Sequence, residues 1–363
     1  MADLSPYIGS ILGIKVQLHW TFVALMLLAL LAAFAFGLYY FFTLIVLLFV
    51  CVFIHELFHS VTARHNRVVI KKIVLLPLGG ASVMDESKPV DPGIEFRIAA
   101  VGPIASILLG IIFGIAAVYS PAGIIRESMQ FLFEINILLG VFNIMPGFPL
   151  DGGRMLRSYL QRRNSLIDAT RKAVRVGNIF LALFIAATIA YAALAPNYDL
   201  SSRELIIFWD LIIAMFLYDG AKSELQSTYM KHYASGLPVN AALSRNYVLV
   251  DADSKIESLY GRLVRAHTHI ILARSGKELM VVKRIPTQQE YARRKYYTVR
   301  DISERLHTIG PNRSLYDAIT TMSSANVGIL AVVDRGRLKG ILLAQHVEYI
   351  VALKAQLIAS ERA

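Results

Sequence analysis

The sequence predicts a polytopic α-helical membrane protein with six transmembrane helices, followed by a soluble α/β module. Two observations carry that fold class. Hydrophobic residues make up 56% of the chain and charged residues only 17%, with a mean hydropathy of +0.53. The apolar runs stop near Leu217, and from Lys222 onward the composition is that of an ordinary soluble domain. A chain of 363 residues has room for both parts. A net charge of +11 raises nucleic acid as a partner. The basic residues flank apolar runs instead of forming one cluster, however, so they report orientation in a bilayer and nucleic acid is not expected. A single cysteine, Cys51, excludes an internal disulfide framework.

The elements follow in order. Apolar sequence runs over 18–54, well beyond the roughly 20 residues that cross a bilayer, which predicts two spans turning at Gly37. The first has no small-residue cleavage site and reads as an anchor. Further spans are expected near 98–119, 129–145, 176–193 and 204–218, the last short and containing Asp210. In the third, Gly102, Ser106, Gly110 and Gly114 recur every four residues, a face that reads as close helix packing. With the amino terminus inside, Arg64, Arg67, Lys71, Lys72, Lys88 and Arg97 share the cytoplasmic side with the basic residues of 154–175. Essentially Arg126 and Arg203 fall opposite. Both termini and the soluble module are therefore expected in the cytoplasm, with the chain multi-pass in the cell membrane.

The soluble part repeats weakly. "KIESL" (255–259) precedes "SLYDA" (314–318) by 59 residues, and "RSGKELMVV" parallels "DRGRLKGIL". The second copy reads as helix, strand, a two-residue "RG" turn, strand and helix. This pattern resembles a pair of cystathionine-β-synthase (CBS) modules over roughly 237–353. The expected division is 1–222 for the membrane domain, 223–236 for a linker, 237–353 for the tandem modules and 354–363 for a tail. The resemblance implies an adenine nucleotide between the modules and allows a homodimer through the pair. The nucleotide pattern departs from the usual one, with Leu343 and His346 standing where a hydroxyl and an acid are expected. In the first repeat Lys283 and Pro286 hold the corresponding places.

Chemistry concentrates in two stretches. In "HELFH", His55 and His59 are four apart, so a helix puts both imidazoles on one face, and Glu56 is placed to take a proton from water held by a shared ion. Ionisable groups inside a membrane segment cost about 2.5–3.5 kcal/mol each when charged, and a metal would compensate them. The alternative is a membrane border, where such groups simply reach water, and Arg64 and His65 nearby keep that alternative open. The second stretch is "NIMPGFPLDGGR" (143–154). The second and fourth spans run in the same direction, so Asp151 arrives at the side and depth of the histidines. Two histidines and a carboxylate form a catalytic zinc ligand set that leaves a position for water. Pro146 and Pro149 break the helix, and Gly152 and Gly153 are read as permitting a sharp turn that aims the carboxylate. An ordinary aspartate-glycine turn is the plainer reading of "LDGG". Cys51, four residues before His55, is a rival third ligand, although Asp151 is preferred. Asn143 is expected to donate to an oxyanion, and Asn136, seven residues earlier, to act as interhelical glue.

Together "HELFH", "LLPLGGASVM", "EFRIAAVGPIAS" and "NIMPGFPLDGGR", in that order, resemble the site-2 protease family of intramembrane zinc metalloproteases in its six-span prokaryotic form. The resemblance implies one zinc ion on His55, His59 and Asp151, Glu56 as general base and proton shuttle, and Asn143 assisting the oxyanion. It further implies a single-pass membrane protein as substrate, with regulated intramembrane proteolysis as the process, and likens "PLGGAS" to a strand whose edge pairs with unwound substrate. The alternative class is a CBS-regulated membrane metal or ion transporter using the same polar cluster as a transit site. Against it, the spans show no clear internal repeat and the cluster lies toward one face.

Overall fold

The apolar run breaks at Gly37. Helix α1 (Trp20–Phe36) ends there, with the glycine at φ 72° and its N–H bonded to the Ala33 carbonyl, and α2 (Tyr39–His65) follows. That left-handed cap is what favours glycine at the position. The structure, a computed structural model, describes residues 6–77, 79–84, 90–194, 200–256, 270–276, 278–282 and 298–361. The chain divides into two units, Met1–Thr228 and Tyr229–Ala363.

In the first unit, strands β1 (Tyr7–Ile11), β2 (Ile14–Leu18), β3 (Ile70–Leu76) and β4 (Gly79–Met84) form a sheet in that order, with β2 and β3 parallel and the outer pairs antiparallel. Among the described residues strand β4 is an edge, and it packs on α2. Helix α3 (Pro92–Tyr119) begins under an Asp91 cap, whose carboxylate accepts from the Gly93 and Ile94 N–H groups at 2.8 and 3.3 Å. It is the central element, touching α2, α4 (Ile124–Ile144) and α5 (Asp151–Gln161). Helices α6 (Leu166–Leu194) and α7 (Leu200–Ser235) complete the unit, the latter running past its boundary.

Among the described residues, α2, α3 and the 166–192 stretch of α6 are long and apolar enough to cross a membrane, and α1 is a shorter apolar helix. The expected fourth and sixth spans, α4 and α7, do not reach that standard, because they mix polar groups into the apolar sequence. Several of those groups are satisfied by neighbouring helices. Asp210 on α7, for instance, accepts a 2.8 Å hydrogen bond from the Thr188 hydroxyl on α6. Residues 223–235, read as linker, continue α7 as helix. The sequence there loses apolarity but keeps helix-forming residues.

Among its described residues the second unit contains two sheets. Strands β5 (Val248–Asp251), β6 (Ile271–Ser275), β7 (Glu278–Val282) and β8 (Ser303–Arg305) form one. The other has the order β11 (Arg337–Leu343), β10 (Ile329–Asp334), β9 (Thr308–Ile309). A shared core of Leu272, Leu279, Leu306, Ala331 and Ile341 joins them. The second repeat has the expected order. Helix α8 (Leu315–Ala325) starts on a Ser314–Asp317 capping box, β10 and β11 turn at Arg335 and Gly336 with φ 49° and 79°, and α9 (Ala344–Glu361) follows. Positive φ at both turn residues is the type I′ pattern of a two-residue hairpin. The tail, 354–363, lies in α9 as far as Glu361. Leu343 ends β11, His346 is exposed in the first turn of α9, and Lys283 and Pro286 lie outside the described residues.

Candidate metal centre

His55 and His59, one turn apart on α2, are 4% and 5% exposed among apolar helices. Their Nε2 atoms stand 3.0 Å apart, and each is 3.1 Å from the same Asp151 carboxylate oxygen, Oδ2. Each ring is held from behind. His59 Nδ1 is 2.6 Å from the Ile98 carbonyl, which can only accept, so Nδ1 carries the proton and Nε2 presents a lone pair. His55 Nδ1 is 2.9 Å from the Ser106 hydroxyl. Both anchors lie on α3. Outer partners of this kind fix ring orientation and tautomer in metal-ligating histidines.

Asp151 opens α5, and its position depends on the two glycines behind it. Neither Gly152 nor Gly153 has positive φ; both are helical and buried. A Cβ on Gly152 would run into the Ile144 and Met145 carbonyls, and one on Gly153 would sit 2.8 Å from the Gly147 carbonyl and the Phe148 nitrogen. The expectation of a sharp glycine turn is therefore corrected. These glycines let the first turn of α5 lie directly on the 144–148 loop. That loop includes a cis Phe148–Pro149 bond. It is anchored through Phe148, 1% exposed, in a cluster with Ala173, Val174 and Ala221. The Arg157 guanidinium stands 5.3 Å over the Phe148 ring and pairs with Glu95 of α3 and Glu224 of α7. Burial alone would lower the Arg157 pKa, but the two carboxylates more than reverse this and raise it.

The convergence has a chemical meaning. Two imidazole nitrogens and a carboxylate oxygen, each able to offer a lone pair, meet in a buried space. Without a cation or a proton between them these groups repel. Ligands of one tetrahedral zinc, bonded at about 2.0–2.1 Å, lie about 3.3 Å from one another, close to the 3.0–3.1 Å separations here. The residues fit the ion.

The remaining expected residues lie around this trio. Glu56 turns toward β4, where its Oε2 accepts a 2.7 Å hydrogen bond from Ser82. Asn143 donates to the Leu139 carbonyl of its own helix at 2.9 Å. Asn136 is fully buried and donates to the Leu132 carbonyl at 2.7 Å and to Cys51 Sγ at 3.1 Å, joining α4 to α2. Cys51 thus faces Asn136 and is not in the group of ligand atoms formed by His55, His59 and Asp151. Sequence reasoning missed Gly102 and Ser106, assigned to packing alone. A Cβ on Gly102 would fall on the His59 ring and 2.7 Å from His55 Nε2. The hydroxyl at 106, the one polar member of a glycine stripe, was the available signal.

Residues 43–126 and 120–186 match the model of Peptidase family M50, and residues 299–347 match the CBS domain. A zinc metalloprotease of Methanocaldococcus jannaschii is 28% identical over 335 residues, covering 92% of this chain and 91% of that protein. The solved Site-2 Protease from Methanocaldococcus jannaschii is 32% identical, covering 61% of this chain and 95% of that one, with a TM-score of 0.45. With that identity spread along nearly all of a site-2 protease, the chain belongs to peptidase family M50, the site-2 proteases, and is a membrane zinc metalloprotease carrying a CBS domain.

Proposed function

We propose that the enzyme cleaves transmembrane segments of single-pass, membrane-anchored regulatory proteins, with His55, His59 and Asp151 holding one zinc ion, Glu56 as general base and Asn143 as an oxyanion donor. The observation that carries this reading is the meeting of three lone-pair donors within 3.1 Å in a buried space. Zinc, when bound, supplies a Lewis acid that acidifies water and polarises a carbonyl. Glu56, next in sequence to His55, takes the proton from the attacking water and delivers it to the leaving amine. Asn143 sits in the last turn of α4, just before the loop that leads to Asp151. Its amide, now spent on Leu139, is the donor that turns to the developing oxyanion. Ile98 and Ser106 hold the imidazoles, so ligand geometry is set before substrate arrives.

In this reading the membrane part, 1–222, crosses six times. Helices α4 and α7 are spans whose polar groups turn toward partners inside the bundle, as Asn136 and Asp210 do. The positive-inside bias puts both termini and the tandem CBS modules, 237–353, in the cytoplasm, where the modules can take an adenine nucleotide or pair two chains. Cleavage near that face releases a soluble fragment, which is the purpose of regulated intramembrane proteolysis.

The test is Glu56→Gln protein reconstituted in vesicles with a transmembrane substrate. Zinc stoichiometry is expected to stay at one per chain while kcat falls by roughly 100- to 10,000-fold. Undiminished cleavage would remove Glu56 from the mechanism. Loss of zinc from His55→Ala and Asp151→Asn, with Cys51→Ala unchanged, checks the ligand set.

A further inference from the structure

Glu56 is held by a pair of serines that the mechanism above does not use. The Ser82 hydroxyl on β4 lies 2.7 Å from Glu56 Oε2 and 3.3 Å from the Glu56 carbonyl. A hydroxyl has one proton, and the carboxylate, nearer and more basic, takes it. Behind it, Ser60 Oγ is 2.9 Å from Ser82 Oγ. With the Ser82 proton committed to Glu56, Ser60 is the donor of that bond. Ser60 is fully buried one turn beyond Glu56 on α2. The strand is shaped for the same contact at a second point. Gly80 shares a strand face with Ser82, and a Cβ there would collide with the Glu56 side chain. Residues 80 and 82 thus make room for the glutamate and then grip its end. The grip sits on the sheet's edge, since β4 pairs only with β3 among the described strands, Ser82 standing opposite Ile73.

Resting on the reading of Glu56 as base, we propose that Ser82 is the positioning residue for the Glu56 carboxylate, with Ser60 buttressing it. Ser82 fixes the rotamer from which Glu56 reaches water, and it ties that rotamer to the placement of the edge strand. A hydrogen bond from a neutral hydroxyl to a carboxylate is strong enough to select one carboxylate orientation over others. It does not touch the zinc ligands, so its loss is felt in turnover and not in metal binding.

The test uses full-length Ser82→Ala, Ser82→Thr and Ser60→Ala proteins in parallel with Glu56→Gln, in vesicles with one transmembrane substrate. Ser82→Ala is expected to keep one zinc per chain and its KM while kcat falls roughly 10- to 100-fold. Ser82→Thr, which keeps the hydroxyl, restores kcat to within about threefold, and Ser60→Ala loses less than Ser82→Ala. A second readout is independent of turnover. Infrared difference spectra of the metal-free proteins identify the Glu56 carboxyl band as the one missing in Glu56→Gln, and that band is expected to shift in Ser82→Ala. An unshifted band with unchanged kcat overturns the proposal. So does a kcat loss that travels with zinc loss or a raised KM and is not restored by threonine, since that is the signature of a merely structural residue. An active Glu56→Gln protein would instead overturn the assignment of the base. Inactive Glu56→Gln beside fully active Ser82→Ala overturns Ser82 alone.

Discussion

Helix α3 carries one stripe of small residues whose two ends do different work. At the Gly114 end the stripe is a packing device: Gly110 lies against Ile137 and Gly114 against the Phe133 ring, both on α4. At the Gly102 end it borders the candidate metal centre. Gly102 lies over both imidazoles, and Ser106 hydrogen-bonds His55 Nδ1. The spacing of four is identical along the stripe, and so is its local effect, which is to let something approach the backbone closely. What approaches is decided by the neighbouring helix. At one end that is the apolar face of α4 and at the other the turn of α2 that carries His55 and His59. A small-residue stripe therefore tells where close contact occurs, and the contact's purpose comes from the partner.

Substitutions along the stripe turn this contrast into measurements. The largest effect is expected from Gly102→Ala. Its methyl must displace an imidazole, so zinc affinity should fall by at least about 100-fold and cleavage with it. Retained zinc in that protein would mean the site can relax around the methyl and would erase the distinction between the ends. Ser106→Ala comes next. It leaves the space open and removes only the outer partner of His55, so competition against a chelator should show zinc held roughly 10- to 100-fold more weakly. Gly114→Ala should be the mildest. Its methyl meets a ring edge at 2.9 Å, and a tilt of Phe133 can absorb much of this, for a cost of about 1 kcal/mol in thermal unfolding. Zinc content should not change. A Gly114→Ala protein that loses metal would show that the two ends are mechanically coupled.

Much of the site is legible in the sequence because its requirements are local. Two histidines four apart on a helix face the same way whatever surrounds them, and the expectation that Asp151 lies beside them agrees with its 3.1 Å contacts to both rings. The hairpin at Gly336, which adopts positive φ freely, and the Ser314 cap, which satisfies a helix terminus, are likewise local. Other features are not local. The Gly152–Gly153 pair reads equally well as a turn or as a contact, and only the passage of the Ile144 and Met145 carbonyls through the missing Cβ position decides for contact. The 223–235 stretch lost the hydropathy by which spans are recognised while keeping helical propensity, so polarity alone suggested a linker.

The sequence by itself determined the candidate ligand types, their helical spacing, the order of the motifs and the shift from an apolar to a more polar composition, because these follow from side-chain chemistry and from periodicities that each segment carries within itself. Only the tertiary structure decided which groups stand behind the candidate site residues, Ile98 and Ser106 behind the imidazoles and Ser82 behind Glu56, and that Asn136 takes Cys51 out of that site. Those partners are separated in sequence by 26 to 85 residues, and no periodicity links them. They meet because α3, β4 and α4 pack on α2, which is a property of the assembled bundle.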